Sequence, residues 1–197
     1  MTETLTRRLI EAAATRVIAA ADELTALDRL TGDGDHGTNL KRGCEAVLAQ
    51  IDRLAERPLP DALRATGHIL LATVGGASGP LYGVLLAGIG KGLAQDAQGV
   101  AAALQGGIVA VERLGKSEPG CKTMLDVLAP VQRLLEDGGA DLPARIEAAA
   151  AAAAESTVAM KATRGRAAYL GDRSIGHMDP GARSAQIMIA AVCSVLA

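Results

Sequence analysis

Three aspartates, Asp28, Asp33 and Asp35, fall within eight residues in the run Asp28-Arg-Leu-Thr-Gly-Asp-Gly-Asp-His-Gly-Thr-Asn39. Carboxylates so close in sequence repel one another in any compact turn. A hard dication removes the problem, because Mg²⁺ takes oxygen ligands and is commonly shared between a few carboxylates and substrate phosphates. The run leads into a helical pattern beginning near Thr38, whose free amide groups and positive dipole end favour a phosphate. Metal and phosphate chemistry meet here, which makes the run a nucleotide site. Gly32, Gly34 and Gly37 also satisfy G-x-G-x-x-G, but no β-branched strand precedes them; Leu24, Leu27 and Leu30 among polar neighbours read as a helix end. An EF-hand fails as well, since Cys44 stands where a bidentate Glu should close a loop opened by Asp33. The plain alternative is a solvated Asp/Gly turn, and the rest of the chain weighs against it.

Three more stretches carry usable chemistry. Gly75-Gly-Ala77-Ser78-Gly79 offers backbone amides and a hydroxyl at a helix start, the makings of an anion cradle. Gly115-Lys-Ser117 resembles the tail of a P-loop, but Ala110 replaces the leading glycine and a helix precedes it, so the match is rejected. Glu118-Pro-Gly120 then reads as a rigid helix start with Met124 one turn inside; Gly115 and Met124 could flank a nucleobase. The segment from Arg164 to Gly181 is too long for an idle connector. Within it Arg173 could brace phosphate charge, and Asp179-Pro180-Gly181 could cap the last helix while meeting a sugar hydroxyl. His36 and His177 are reasonable ligand contacts, whereas His68 sits in a helical pattern as a surface or packing residue.

The elements that position these residues are all helical. Apolar residues recur at helical spacing over about 2–27, with Thr2 or Thr4 as cap, and again over 38–55, ended by Pro58 and Pro60. Further helices are expected at about 61–74, 81–89, 98–114, from Pro119 to Gly138, 142–160 and 182–196. No segment alternates with a period of two. The chain therefore reads as all-α, a single domain over 1–197 built as a bundle or barrel of eight antiparallel helices. Up-and-down connection puts alternate loops at one end, and those near 28–38, 75–80, 115–122 and 161–181 each follow an odd-numbered helix. They should share one rim.

Composition narrows the function. Apolar residues make up 49% of the chain, yet it has no Trp or Phe and only two Tyr, which suits closely packed aliphatic helices. A net charge of −2, no basic run and no stacking aromatics exclude nucleic acid as a partner. Cys44, Cys121 and Cys193 fit neither a disulfide framework nor a zinc site, and no apolar run approaches a membrane span, so a cytoplasmic protein is expected.

Five strings, in order, resemble the nucleotide-binding subunit of the dihydroxyacetone kinases, a domain also found at the C-terminus of their single-chain ATP-dependent forms. They are Asp28 to Asn39, Gly75-Gly-Ala-Ser-Gly-Pro-Leu-Tyr-Gly83, Glu118-Pro-Gly-x-Lys-Thr-Met124, Arg164-Gly-Arg-Ala-x-Tyr-Leu-Gly171 and Arg173-Ser-Ile-Gly-His-x-Asp-Pro-Gly181. The resemblance implies an eight-helix barrel with ADP or ATP at one rim. It implies two Mg²⁺ ions on Asp28, Asp33 and Asp35, and nucleotide contacts from His36, Gly37, Thr38, Asn39, Ala77, Ser78, Gly115, Met124, Arg173, Asp179, Pro180 and Gly181. It also implies two partners: a subunit that carries dihydroxyacetone on a histidine, and a phosphohistidine protein of the sugar phosphotransferase system that recharges bound ADP. The alternatives are an ATP-exchanging kinase subunit for a related ketose such as erythrulose, the nucleotide-binding domain of a fatty acid kinase, and an ADP sensor for a transcription factor. A homodimer stays open.

Overall fold

The computed structural model describes residues 4–95 and 99–197. Among them it contains ten α-helices and two 3₁₀ segments and no strand. The helices are α1 (Leu5–Ala19), α2 (Ala21–Thr31), α3 (His36–Leu48), α4 (Ile51–Ala55), α5 (Leu59–Thr73), α6 (Ser78–Ala94), α7 (Gly99–Gly115), α8 (Leu125–Asp137), α9 (Leu142–Ser156) and α10 (Pro180–Leu196). Helix α2 continues α1 after one non-helical residue, Ala20, and α4 continues α3 after Ala49 and Gln50. Eight walls remain, and their packing closes a ring in the order α1, α3, α5, α6, α7, α8, α9, α10 and back to α1. The expected eight-helix barrel is the fold. Its centre is filled by Val17, Leu24, Leu40, Val111, Leu125 and Val127, all essentially inaccessible to solvent, together with the fully buried Tyr82.

Helix boundaries depart from the sequence pattern in informative places. Thr4 caps α1, its side chain accepting from Arg7 N–H at 3.2 Å, while Thr2 lies outside the described residues, as does the expected start of the fifth helix at 98. The break at Ala20 has no glycine or proline to announce it. It falls beside Ala21, whose carbonyl lies where a Cβ on Gly37 would stand, so the start of α2 packs closely on the start of α3. Pro60 does not end a helix but sits in the first turn of α5, where its missing N–H costs nothing. The sixth helix starts at Leu125 and not at Pro119. The Asp126 carboxylate accepts from Gly120 N–H (2.5 Å) and Thr123 N–H (2.6 Å), and left-handed Lys116, Gly120 and Lys122 keep the preceding stretch as turns. Asp28 belongs to the last turn of α2 rather than to a loop, and α3 begins at His36, two residues before Thr38.

Glycine sets how closely the α5–α6–α7 wall packs. A Cβ on Gly88 would stand 2.8 Å from the Gly107 Cα, and one on Gly107 would stand 2.8 Å from the Leu85 carbonyl oxygen. Gly106 is different: its Cβ would meet only Gly88 O, at 3.6 Å. Gly107→Val should therefore destabilise the barrel by about 1–3 kcal/mol through overpacking. Gly106→Ala should be neutral or stabilising, by up to ~1 kcal/mol, because it restricts the unfolded chain without a clash. Thermal melts of the two variants against the parent check this, and equal melting shifts would refute it.

Candidate functional site

The three aspartates leave the chain from different structures and still converge. Asp28 is in the last turn of α2, Asp33 in the turn that follows, and Asp35 at the position before α3. One carboxylate oxygen from each lies within 4.8 Å of the others. Asp28 is buried, and its Oδ2 accepts from the N–H groups of Asp35 (2.9 Å) and His36 (3.1 Å), so it caps α3 from a distance in sequence. Its Oδ1 lies against Gly32, where an added Cβ would come within 2.1 Å. Arg166 Nη2 pairs with Asp33 Oδ2 at 2.9 Å. A tight, oxygen-only donor set of this kind fits a hard divalent cation such as Mg²⁺.

These carboxylates form one side of a cavity of about 170 Å³. The other walls come from Gly76–Ser78, Leu81 and Tyr82, from Lys122–Met124, from Arg164–Ala167 and from Asp179–Gly181. All four rim segments expected from the helix order thus meet in one place. The first residues of three helices line the cavity, His36 of α3, Ser78 of α6 and Pro180 of α10, so three positive dipole ends face it. Helix α6 begins without a side-chain cap, which leaves its first amides for a ligand. Carboxylates opposite amide donors and arginines give one compartment for a cation and an anion together.

A buried polar chain supports the floor. His36 Nδ1 lies 2.8 Å from Ser78 Oγ and Nε2 lies 2.9 Å from Ser184 Oγ; the Tyr82 hydroxyl joins Ser184 Oγ at 2.7 Å. Burial lowers the His36 pKa despite the nearby charges of Asp28 and Asp35, which keeps the ring neutral and able both to donate and to accept. Burial likewise raises the Tyr82 hydroxyl, with the Ser184 hydrogen bond partly opposing it. Asp179 caps α10, its Oδ2 accepting from Ala182 N–H at 2.7 Å. Enclosure by protein pushes its carboxyl up to about 7, aided by the charge of Asp126 and opposed by the Ala182 amide and by Lys122.

The structure places His36, Ala77, Ser78, Met124, Asp179, Pro180 and Gly181 in the cavity wall with the aspartates. Gly37, Thr38 and Asn39 stand behind it. Gly37 is buried against α2, where a Cβ would meet Ala21 O at 1.9 Å; Thr38 is exposed; Asn39 Oδ1 accepts from Arg42 Nη2 at 2.8 Å and backs Gly75. Gly115 adjoins Leu81 and precedes a second hollow of about 260 Å³, which includes Lys116, Ser117, Cys121 and the same Arg164. Arg173 is exposed and lies outside both hollows, as does His177. Arg164 and Arg166 occupy the wall instead. Sequence reasoning also missed Lys122, Tyr82 and Ser184. The serine had a faint signal, the first hydroxyl of the final helix, one turn inside Pro180; the buried lysine had none.

A family model described as the DAK2 domain matches residues 30–194. The chain is 41% identical over 180 residues to the PEP-dependent dihydroxyacetone kinase, ADP-binding subunit DhaL, of Escherichia coli (strain K12), covering 86% of this chain and 85% of that one. It is 35% identical over 200 residues to Triokinase/FMN cyclase of Homo sapiens, covering 95% of this chain but only 34% of that protein. The crystal structure of the dihydroxyacetone kinase from C. freundii in complex with AMP-PNP and Mg²⁺ superposes with a TM-score of 0.81 at 26% identity, over 98% of this chain and 34% of that one. With its closed ring of helices, its clustered aspartates and a match that runs from the end of α2 to the end of α10, the chain belongs to the DAK2 domain family.

Proposed function

We propose that the chain is the ADP/ATP-binding subunit of a dihydroxyacetone kinase, transferring phosphoryl groups from a tightly held Mg–nucleotide to a small ketose presented by another polypeptide. The observation that carries this reading is the single cavity in which three carboxylates face three helix N-termini and two arginines. Asp28, Asp33 and Asp35 would hold two Mg²⁺ ions, which neutralise phosphate charge and orient the transferred group. The amides opening α6, with Ser78, bind phosphate oxygens, and the positive end of α3, capped by Asp28, adds favourable charge. Neutral His36 acts through Ser78, whose hydroxyl it fixes. Met124 and Gly115 border the base, and Asp179-Pro180-Gly181 meets the sugar. Gly37, Thr38 and Asn39 shape the start of α3, and Arg173 would brace phosphate charge from outside the cavity wall.

Among the described residues lining the cavity, the one histidine, His36, has both ring nitrogens engaged by serines and is not free to hold an acceptor sugar. The acceptor site therefore belongs to a dihydroxyacetone-binding subunit. Phosphoryl transfer needs position and charge neutralisation more than covalent help, which agrees with such a division. Recharging of bound ADP by a phosphohistidine protein of the phosphotransferase system follows the likeness to the PEP-dependent subunits. Among the described residues no helix is long and apolar enough to cross a membrane, consistent with a cytoplasmic role.

Two outcomes test the reading. Native mass spectrometry of the parent in Mg²⁺ should show ADP retained through buffer exchange and released by EDTA. Asp33→Ala should lose this retention and all transfer while its far-UV circular dichroism stays unchanged; full retention by that variant refutes the metal assignment. The second outcome concerns Asp179. A carboxyl near 7 accepts a sugar hydroxyl more strongly once it has lost its proton, so ADP affinity should rise between pH 6 and 8. Stability of the unliganded protein should move the other way. The folded carboxyl holds its proton up to about 7 while the unfolded one releases it near ~4, so stability falls as pH climbs through that window. Asp179→Asn keeps the cap and should flatten both curves; calorimetry and melts at four pH values measure them.

A further inference from the structure

Lys122 is the one lysine whose side chain is sealed from solvent among the described residues, 1% exposed. Its backbone is left-handed, φ 64°, a conformation a non-glycine residue adopts only at a cost. Its ammonium makes no carboxylate pair. It donates instead to the carbonyl oxygens of Met160 (3.0 Å) and Ser174 (2.5 Å). Those two residues are the ends of the strap that carries Arg164 and Arg166 into the cavity wall. Ser174 closes the same neck, its Oγ accepting from Ala162 N–H (2.9 Å) and donating to Gly171 O (2.6 Å). A buried charge is expensive unless it is used, and a methionine would fill this space at less cost.

We propose that Lys122 is a positioning residue: it pins the neck of the 160–174 strap and so holds Arg166 on Asp33 and Arg164 in the cavity wall. The pin acts on two ligand classes with opposite sign. Arg166 paired to Asp33 competes with a divalent cation for that carboxylate, so a pinned strap weakens binding of the bare cation. The same arginines favour a polyphosphate anion, so a pinned strap strengthens binding of the metal–nucleotide. The second effect rests on the nucleotide reading; the first does not.

The test uses the full chain, with Mn²⁺ alone followed by electron paramagnetic resonance and Mg·ADP followed by calorimetry. Lys122→Met should bind Mn²⁺ roughly threefold more tightly, the scale of one exposed ion pair. It should bind Mg·ADP roughly tenfold more weakly, the scale of one lost charge-assisted hydrogen bond. Trypsin should cut it sooner at Lys161, Arg164, Arg166 or Arg173, with cut sites read by mass spectrometry. Combining it with Arg164→Ala/Arg166→Ala should add little to that pair alone. Ser174→Ala loosens the same neck more gently, should shift all three readings in the same direction, and decides the matter if Lys122→Met fails to fold. Loss of both affinities together, parental trypsin resistance, or full additivity with the arginine pair would overturn the proposal. A parent that binds no Mg·ADP would defeat the nucleotide reading and leave Mn²⁺ binding and proteolysis to judge the pin.

Discussion

Mutual repulsion of three carboxylates is the constraint that the rest of this molecule answers. Oxygens within 4.8 Å of one another cost about 3 kcal/mol per ionised pair at an effective dielectric of ~20, less where water reaches Asp33. The protein offsets part of that from its own resources. Asp28 takes two backbone N–H groups, Arg166 pairs with Asp33, and three helices aim their positive ends at the same space. None of these cancels a full charge on Asp35, so a cation remains the natural completion of the cluster. The barrel supplies the frame. A closed ring gathers alternate connections at one end, and the site needs pieces of four of them.

The glycines of the acidic run show how one pattern can satisfy several demands. Gly32 leaves room for Asp28 Oδ1, and a Cβ on Gly37 would strike the Ala21 carbonyl where α2 meets α3. Gly34 is left-handed, φ 75°, which turns the chain between Asp33 and Asp35. Their spacing imitates a dinucleotide fingerprint while serving carboxylate placement, helix packing and a turn. This explains why the fingerprint could be dismissed from the missing strand, yet the site it seemed to mark was real geometry.

Much of the architecture was legible because helical periodicity is local. Eight apolar repeats gave eight walls, and their parity gave the shared rim. What stayed hidden depends on contacts distant in sequence. The break at Ala20 lies beside a close contact between Ala21 and Gly37 that sequence does not announce, and the late start of α8 answers to the Asp126 carboxylate folding back on Gly120 and Thr123. Pro119 looked like a helix start because proline at a first turn usually is one; here a left-handed Lys122 intervenes. The site shows the same division. Residues beside the acidic run or the glycine cradle could be named, whereas seeing that Arg164 and Arg166 line the cavity while Arg173 lies outside it required knowing how the strap, 3₁₀ over Arg166–Ser174, lies on the barrel. Gly171, φ 58°, kinks that strap between the first two arginines and the third and separates their directions.

The arrangement also divides labour between rigid and less rigid parts. The anionic side of the cavity and the helix dipoles belong to α2, α3, α6 and α10, whose cores are buried and whose polar floor of His36, Ser184 and Tyr82 is fully hydrogen-bonded. The cationic side belongs to a strap fastened at its neck, with Ala167 buried beneath it and Tyr169 at 92% exposure. Phosphate bound between them would neutralise both. On the proposed reading, a phosphoryl group leaving for an acceptor on another chain must pass the strap rather than the barrel. On that same reading the helical side would hold metal and nucleotide, and the strap would be the part that meets the docking chain.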